Sequence, residues 1–432
     1  MNGAARQRDF LHNLDVCIVG GSLAACATAT LLLRAGCRVT VFERSHGNLE
    51  DRGVGMAISI LTLEALTRRD LIDTDMAILP VWRRNFVRRP SGDDADDYLG
   101  HVFWEHPVAF HANHWGVLFR SLRKRVPDDI YHQGSEVTAI SEQPDGSIEV
   151  QLADGATRAF DLVICADGYE SIGRRVLYPD TDIRPARYFL WRGMIEEANV
   201  PQPEVFDETI TFVAYRYGHG LIYWVPSPET GAAVGNRRLN WGFHETIAGK
   251  DIPGVEPDEH GYVRKGLAPG AATAEQVAYC QDMARRHFPA YIADIVELTP
   301  QPFIQPVIDV FVPRYTRGRI CLMGDAATLA RPHIGGGAGK ALDDALALAD
   351  ALAAHDSLDD ALAAWDVART AVGNEVVSLG QSFGRYLVEE HPDWDAMDQD
   401  SMDRRWRKLM EGRNWYMVDE VKDWHPILGR RA

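Results

Sequence analysis

The segment Asp15–Glu43 limits the fold of this chain more than any other. Asp15–Gly20 (DVCIVG) is an apolar run that reads as a buried strand, and a glycine turn follows it. The next stretch reads as a helix ending at Gly36, and Cys37–Phe42 (CRVTVF) as a second strand closed by Glu43. Together they form a βαβ unit in which Glu43 stands 23 residues after Gly20. An acid about 20 residues beyond the turn is placed to accept from an adenosine ribose. Gly20 makes the tight turn, and the amides of Gly21, Ser22, Leu23 and Ala24 are expected to face a pyrophosphate. Ser22 and Ala25 occupy the second and third glycine positions of the usual pattern, and both are small enough for close backbone approach. The alternative is a βαβ unit that binds no nucleotide.

Two further segments repeat the theme of a strand ending at an acid beside glycine. In Arg319–Ala351 the apolar run Ile320–Met323 stops at Gly324–Asp325. A loop with Pro332, Gly335, Gly336, Gly337 and Gly339 follows, then Ala341, Leu342, Ala345, Leu346, Ala349 and Leu352 at helical spacing. Loop amides and a helix N-terminus there can meet an anionic cofactor, and Asp325 can accept from sugar-like hydroxyls. In Asp161–Arg174 a strand, Leu162–Ala166, ends at Asp167–Gly168, with Ser171 and Arg174 on the next turn. Each segment alone also fits an ordinary strand and turn.

In this order and at these distances, Gly20–Ala25, Asp167–Gly168 and Gly324–Asp325 resemble the single-component FAD-dependent aromatic hydroxylases, the family of para-hydroxybenzoate hydroxylase. The resemblance runs over nearly the whole chain. Trp191–Gly193, Tyr223–Pro226, Leu239–Trp241, His114–Arg120 and Arg331–His333 look like the dihydroxypyridine hydroxylase branch. Two positions depart from the family. Thr328 stands where histidine usually follows GDAA, and Trp115 stands where an arginine often meets the cofactor phosphates. Arg44, Arg52 and Arg120 are the candidates to compensate for that missing charge.

The resemblance implies an α/β fold: a discontinuous Rossmann-like FAD-binding lobe, an antiparallel-sheet substrate lobe and a C-terminal helical region. The first would be built from residues 12–80, 112–180 and 304–355, the second from 81–111 and 181–303, and the third from 356–432. Short alternating strands in 181–303 agree with a sheet, and 248–275, rich in Gly, Pro and Asp, reads as a surface excursion. The tail carries Trp394, Trp406, Trp415 and Trp424, which are expected to pack on the chain itself or on a sister subunit, so that a homodimer is open.

The implied reaction uses FAD, NADH or NADPH, and O2. Reduced flavin adds oxygen, and the resulting flavin hydroperoxide hydroxylates an electron-rich ring of hydroxypyridine or phenol type. The protein must hold the ring, help deprotonate its hydroxyl and exclude water. Asp325 would bond the ribityl chain and Glu43 the adenosine ribose. Pro332, Gly335, Gly336, Gly337 and Ala338 would lie along the isoalloxazine, and Asp167 near the nicotinamide approach. Asp344 is either functional or a helix-surface acid. His333, beside Pro332 in the flavin loop, is the first catalytic candidate. Tyr215, Tyr217 and His219 alternate along Thr211–His219 and so are expected to share one strand face. If that face lines the pocket, His219 or a tyrosine relays the proton; otherwise the three lie on the surface. Trp191 and Tyr223 could pack on the substrate ring and Arg192 could bond an anionic one, with core packing as the alternative. A flavoprotein that inserts no oxygen, a monooxygenase acting on a larger secondary metabolite and a flavin-binding assembly protein remain open. The WxWxIP motif of flavin-dependent halogenases is absent.

Composition removes other classes. The net charge of −17 argues against nucleic acid and anionic membranes as partners. No apolar run approaches the ~20 residues of a membrane span, and the first residues lack the apolar core of a signal peptide. The six cysteines form no CxxC pair and no metal-ligand spacing with histidine, so reduced thiols in a cytoplasmic protein without bound metal are expected.

Overall fold

The computed structural model describes residues 9–47, 49–90, 97–181 and 183–413. The side chain of Arg52 lies outside this description, as do Trp415 and Trp424. The βαβ unit forms as β1 (Asp15–Val19), α1 (Leu23–Arg34) and β2 (Arg38–Glu43). Next come β3 (Gly55–Ile58), α2 (Ile60–Arg68), β4 (Leu79–Arg88), β5 (His101–His114) and α3 (Trp115–Arg123). They are followed by β6 (Tyr131–Gln133), β7 (Val137–Glu142), β8 (Ile148–Leu152), β9 (Thr157–Phe160), β10 (Leu162–Cys165) and α4 (Ile172–Leu177). A run of strands, β11 (Ile183–Glu196), β12 (Thr209–Tyr215), β13 (Gly218–Val225) and β14 (Arg238–Thr246), leads to α5 (Ala274–His287) and α6 (Ala290–Leu298). The last third holds β15 (Phe303–Val310), β16 (Thr316–Arg317), β17 (Ile320–Leu322), α7 (Gly337–Ala354), α8 (Leu358–Gly384) and α9 (Gln399–Met410).

The strands make two large sheets and one small one. The first has the order β16-β17-β10-β1-β2-β6, with β17, β10, β1, β2 and β6 parallel. Its central strands are apolar throughout because both faces are covered: Val16, Ile18, Val163 and Ile164 are fully buried. Each of the three glycine–acid segments follows one of these parallel strands, so all three loops emerge at the same edge of the sheet.

The second sheet has the order β15-β11-β14-β13-β12-β4-β5-β3. Alternation gives it two distinct faces. Phe189, Trp191, Ile222, Trp224, Leu239, Trp241 and Phe243 pack against Cys280, Met283, Tyr291 and Ile295 of α5 and α6. Leu190, Arg192, Leu221, Tyr223, Asn240 and Gly242 turn the other way, toward the first sheet. A third sheet, β7-β8-β9, flanks the first.

The mixed α/β architecture with a C-terminal helical region is as expected, with two differences of membership. β3 and β15 fall in segments assigned to the cofactor lobe, yet β3 pairs with β5 (Gly55↔His114) and β15 with β11. A short apolar strand carries no mark of the sheet it will join, so composition could not assign either one. The tail packs on its own chain: Trp394 and Trp406 are buried against β4 and β5. The Arg84 guanidinium lies 3.9 Å from the Trp406 ring centroid and 4.6 Å from that of Trp104, an arrangement that clamps α9 onto the sheet. The six cysteines are buried free thiols. No helix among the described residues is long and apolar enough to cross a membrane.

Candidate active site

A cavity of 570 Å³ lies between the two large sheets. Its walls on one side come from the three loops of the parallel sheet and on the other from the inner face of the eight-stranded sheet. Gly20, Ser22, Leu23, Ala24, Glu43, Arg44, Asp167, Asp325, Pro332, His333, Gly335, Gly336, Gly337, Ala338, Arg192 and Tyr223 all line it. Residues far apart in sequence thus converge on one space.

The first loop turns at Gly20, whose φ of +93° lies in the left-handed region that favours glycine. A Cβ on Gly20 would stand 2.5 Å from the Ala166 carbonyl oxygen, because β1 and β10 pass directly beside each other. Gly21, expected to face the cofactor, does not line the cavity, and a Cβ there would meet the Tyr131 hydroxyl and the Glu43 side chain. Its amide donates to Glu43 Oε2 at 2.7 Å, while Ser45 N–H donates to Oε1 at 2.8 Å. Each Glu43 oxygen keeps a lone pair for a further donor.

The second and third loops are tied together. Arg174 Nη1 donates to the carbonyls of Asp325 (3.2 Å) and Ala326 (2.9 Å), linking α4 to the loop after β17. Asp167 Oδ2 accepts from Ile172 N–H at 2.7 Å, but Oδ1 is buried with no partner among the described residues. Burial raises the Asp167 pKa against the hydrogen bonds that oppose it. Burial likewise raises that of Asp325, with Lys340 and Arg174 pulling the other way.

Beneath Gly324–Asp325 lies a buried ion network that sequence reading left undecided. Asp344 accepts from Gly324 N–H (3.0 Å), Arg369 Nε (2.6 Å) and Lys340 Nζ (3.3 Å), and Lys340 also donates to the Gly324 carbonyl (2.9 Å). Asp344 is therefore a core residue that fixes the turn, not a helix-surface acid. Thr328, the departure from the family, is buried and shares a 2.7 Å hydrogen bond with the Tyr315 hydroxyl. Trp115 lines the cavity and stacks on Phe119 with centroids 5.0 Å apart.

Several expected site residues lie elsewhere. Arg120 donates to Glu50 at 2.9 Å and to the Pro228 carbonyl at 3.2 Å, outside the cavity. Of the candidates to replace the missing charge, Arg44 lines the cavity and is paired with Glu170 at 3.3 Å. Tyr215, Tyr217 and His219 do not share a strand face. β12 ends at Tyr215 and β13 begins at Gly218, so Tyr217 sits in a hairpin turn, 4.0 Å from Lys250 Nζ at its ring centroid. The Tyr215 hydroxyl donates to the His244 carbonyl in the core. Trp191 also misses the cavity. It neighbours Arg192 on an extended strand, so the two point to opposite faces, and its indole N–H donates to Glu245 at 2.9 Å.

His219 reaches the site indirectly. With His244 and His333 it forms a fully buried group whose nitrogens come within 4.8 Å of one another. Neither His244 nor Tyr188 was a sequence candidate. His333 Nδ1 meets His219 Nε2 at 2.7 Å, and His333 Nε2 meets the Tyr188 hydroxyl at 2.7 Å. Arg331 Nη1 donates to the Tyr188 oxygen at 3.0 Å, which leaves the tyrosine proton for His333 Nε2. Neutral His333 then carries its proton on Nδ1 and donates to His219. The His244 and His333 rings stack at 4.0 Å with 28° between planes. Lone pairs lying in stacked rings do not converge on one point, so the cluster reads as a hydrogen-bonded stack rather than a metal cage. Burial holds His219 at about 3. Burial and the neighbouring histidines hold His333 well below the ordinary histidine value.

A family model described as FAD binding domain-like matches residues 185–309, a segment that holds most of the inner face of the eight-stranded sheet. The 2,6-dihydroxypyridine 3-monooxygenase of Paenarthrobacter nicotinovorans is 25% identical over 365 residues, spanning 83% of this chain and 88% of that protein. The chain is a relative of the FAD-dependent aromatic hydroxylases. The 3-amino-4-hydroxybenzoate 2-monooxygenase of Streptomyces cremeus is 25% identical over 359 residues, 80% of each chain. The structure of 2,6-dihydroxypyridine-3-hydroxylase from Arthrobacter nicotinovorans superposes with a TM-score of 0.77 at 23% identity, covering 90% of this chain and 97% of that one.

The residues present fit FAD. Glu43 offers free lone pairs beside the first turn, and the unpartnered Asp167 Oδ1 awaits a donor. At Gly337, where α7 begins at the cavity wall, no atom lies within 4 Å of an added Cβ, so the helix start stands open.

Proposed function

We propose that this chain is an FAD-dependent monooxygenase that uses NADH or NADPH and O2 to hydroxylate an electron-rich aromatic or heteroaromatic ring of hydroxypyridine or phenol type. The observation that carries this reading is the continuity of one cavity from the Gly20 turn to the inner face of the second sheet. A cofactor held at the three loops would reach a ring held on that face.

Bound FAD would supply acceptance of hydride from NAD(P)H and activation of O2. Overall, the ring C–H becomes C–OH, NAD(P)H becomes NAD(P)⁺, and the second oxygen atom leaves as water. Glu43 would accept from the adenosine ribose and Asp325 from the ribityl chain. The amides from Gly335 to Ala338 would lie along the isoalloxazine edge, where the start of α7 favours negative charge. Phe110, Ile210, Phe212 and Leu221 make the substrate end apolar, which excludes water from the oxygen-transfer step. His333 lines the cavity with both nitrogens already engaged, so its first role is to fix the Pro332–Gly335 loop. It could move a proton only after one of those bonds exchanges.

The test uses the purified protein with a panel of hydroxypyridines and phenols under ¹⁸O-labelled O2. Substrate-stimulated NAD(P)H oxidation with one labelled atom in the product supports the proposal. Label found only in peroxide would sink the oxygen-insertion reading and leave an oxidoreductase. Protein without bound FAD would sink both.

A further inference from the structure

Lys340 is a buried cation beneath the cofactor side of the cavity. It is 1% exposed and lies near the start of α7, between Ala338 and Ala341, which line the cavity. Its three N–H bonds are all spent: on the Gly324 carbonyl at 2.9 Å, on Asp344 Oδ2 at 3.3 Å and on the Tyr315 hydroxyl at 3.4 Å. Asp344 does not depend on it. That carboxylate already accepts from Arg369 Nε at 2.6 Å and from Gly324 N–H at 3.0 Å, both closer than Lys340. A second cation on an acid already paired is costly to take out of water, so its presence calls for an explanation beyond Asp344.

The neighbour that supplies one is Asp325. It lines the cavity, and its carboxylate accepts no hydrogen bond from any described residue. Two cations lie near it and neither donates to it. Arg174 spends its guanidinium on the main-chain carbonyls of Tyr169, Asp325 and Ala326, and Lys340 is spent as above. Burial pushes the Asp325 carboxyl up, Lys340 and then Arg174 pull it down, and Asp344 adds to the push. Arg369 of α8 and Tyr315 face Lys340 and so bear on Asp325 through it. Asp325 is therefore an acid with two cations close by that consume none of its lone pairs. The same lysine fixes the peptide that aims this acid. Lys340 takes the Gly324 carbonyl and Asp344 the Gly324 amide, at a residue whose φ of +60° is left-handed.

We propose that Lys340 is a positioning residue for the cofactor: it fixes the Gly324 peptide and keeps the Asp325 carboxylate an anion, ready to accept from the hydroxyls of the flavin's polyol chain. This rests on the FAD reading above and deepens it, because it traces cofactor retention to a residue that does not line the cavity. A neutral carboxyl group at that place would be a weaker acceptor, since hydrogen bonds to an ionised group are the stronger ones. FAD then binds the ionised form of Asp325. Its affinity is complete above the Asp325 pKa and falls about tenfold per pH unit below it. Removing a cation beside a carboxylate raises the carboxyl pKa by about one to three units, so the fall moves to higher pH.

The test is equilibrium dialysis of the FAD-loaded protein against known FAD concentrations from pH 8 to pH 5, with bound and free flavin read by fluorescence. In K340Q the affinity should begin to fall about one pH unit or more above the wild type, leaving it about tenfold weaker once both have begun to fall. K340M removes the same charge and should show the same shift, whereas K340R keeps the charge and should keep the wild-type profile. D325N, whose amide does not titrate, should bind weakly at every pH, and adding K340Q to it should move no step. Titration of FAD itself is common to all these proteins and cancels in the comparison. An affinity lowered equally at every pH in K340Q and K340M would assign Lys340 to structure alone and overturn the proposal. So would a step that K340Q still shifts in the D325N background, because another group would then be titrating. Neutral variants that fail to fold at pH 8 would overturn it as well, since Lys340 would then serve the fold first. A wild type that binds no FAD at any pH sinks the flavin reading itself, whereas FAD bound without a shift in the variants sinks only the role of Lys340.

Discussion

His333 has the most to say among single residues, because its role in the sequence and its place in the structure differ. It lines the cavity as expected, yet both ring nitrogens are spent, on Tyr188 and on His219. A His333→Ala change should therefore loosen the Pro332–Gly335 loop as well as alter turnover. The three stacked histidines also set a pH limit on the fold. Each is neutral in the folded protein, with His219 at about 3 through burial, whereas an unfolded histidine takes its proton near pH 6.5. Below about 6.5 the unfolded chain binds more protons, so stability is complete above that pH and is lost as pH falls toward 3. Urea unfolding between pH 7 and pH 5 is expected to show a falling midpoint. The slope approaches about 1.4 kcal/mol per pH unit for each such histidine. His219→Asn should flatten it, and an unchanged slope in that variant would count against the assignment. The register of β12 and β13 was not legible at this scale, because TITFVAYRYGH alternates as one strand would. Only the pairing of Tyr215 with Gly218 reveals the hairpin between them.

Single elements are held by groups whose importance the sequence concealed. The Gly324–Asp325 turn sits at the end of β17 because Asp344 and Lys340 of α7 grip its amide and its carbonyl. Burial opposes the Lys340 charge, but Asp344, Tyr315 and Asp325 outweigh it and raise the lysine pKa. Breaking a buried ion pair outright costs roughly 3–5 kcal/mol, and because Arg369 still holds Asp344 once Lys340 is gone, the loss of Lys340 should cost less than that. Lys340→Met should lower the urea midpoint accordingly and weaken FAD retention, measured by release of flavin fluorescence. The double change of Lys340 and Asp344 to apolar residues should cost less than the sum of the single ones. At the other end of the chain, α9 is fastened by Trp406 against Arg84. Trp406→Ala is expected to cost about 3–5 kcal/mol and to speed hydrogen exchange in Gln399–Met410 while leaving FAD content unchanged. An α9 that stays protected in that variant would show that other contacts hold it.

At the scale of the whole molecule, the cavity is a seam between two sheets, and a ligand along it binds both. FAD should therefore stabilise the fold beyond either sheet alone. At a free concentration of a hundred times Kd the gain is about 2.7 kcal/mol. Removing the flavin should lower the thermal midpoint, and adding FAD back should restore it; a midpoint indifferent to FAD would contradict a site at this seam. The three loops that build the cofactor side were legible in the chain because each is local: a strand, a glycine turn and an acid lie within a few residues of one another. Their physical demands, a left-handed φ at Gly20 or an acid closing β2, write themselves into adjacent positions. The substrate side was not legible, because it depends on which strand lies beside which. Trp191 and Arg192 are neighbours in sequence and face opposite sides of a sheet. Arg192, Tyr223 and Asn240 come from three separate strands and meet only through pairing. The amino-acid sequence by itself thus determined the fold class, the family resemblance and the three strand–glycine–acid loops that line the cavity, all of which rest on short-range pattern. Tertiary structure alone decided sheet membership, the histidine stack, the ion network under Gly324 and the sheet face to which Arg192 turns. Burial and long-range register, which make those groups matter, have no local signature.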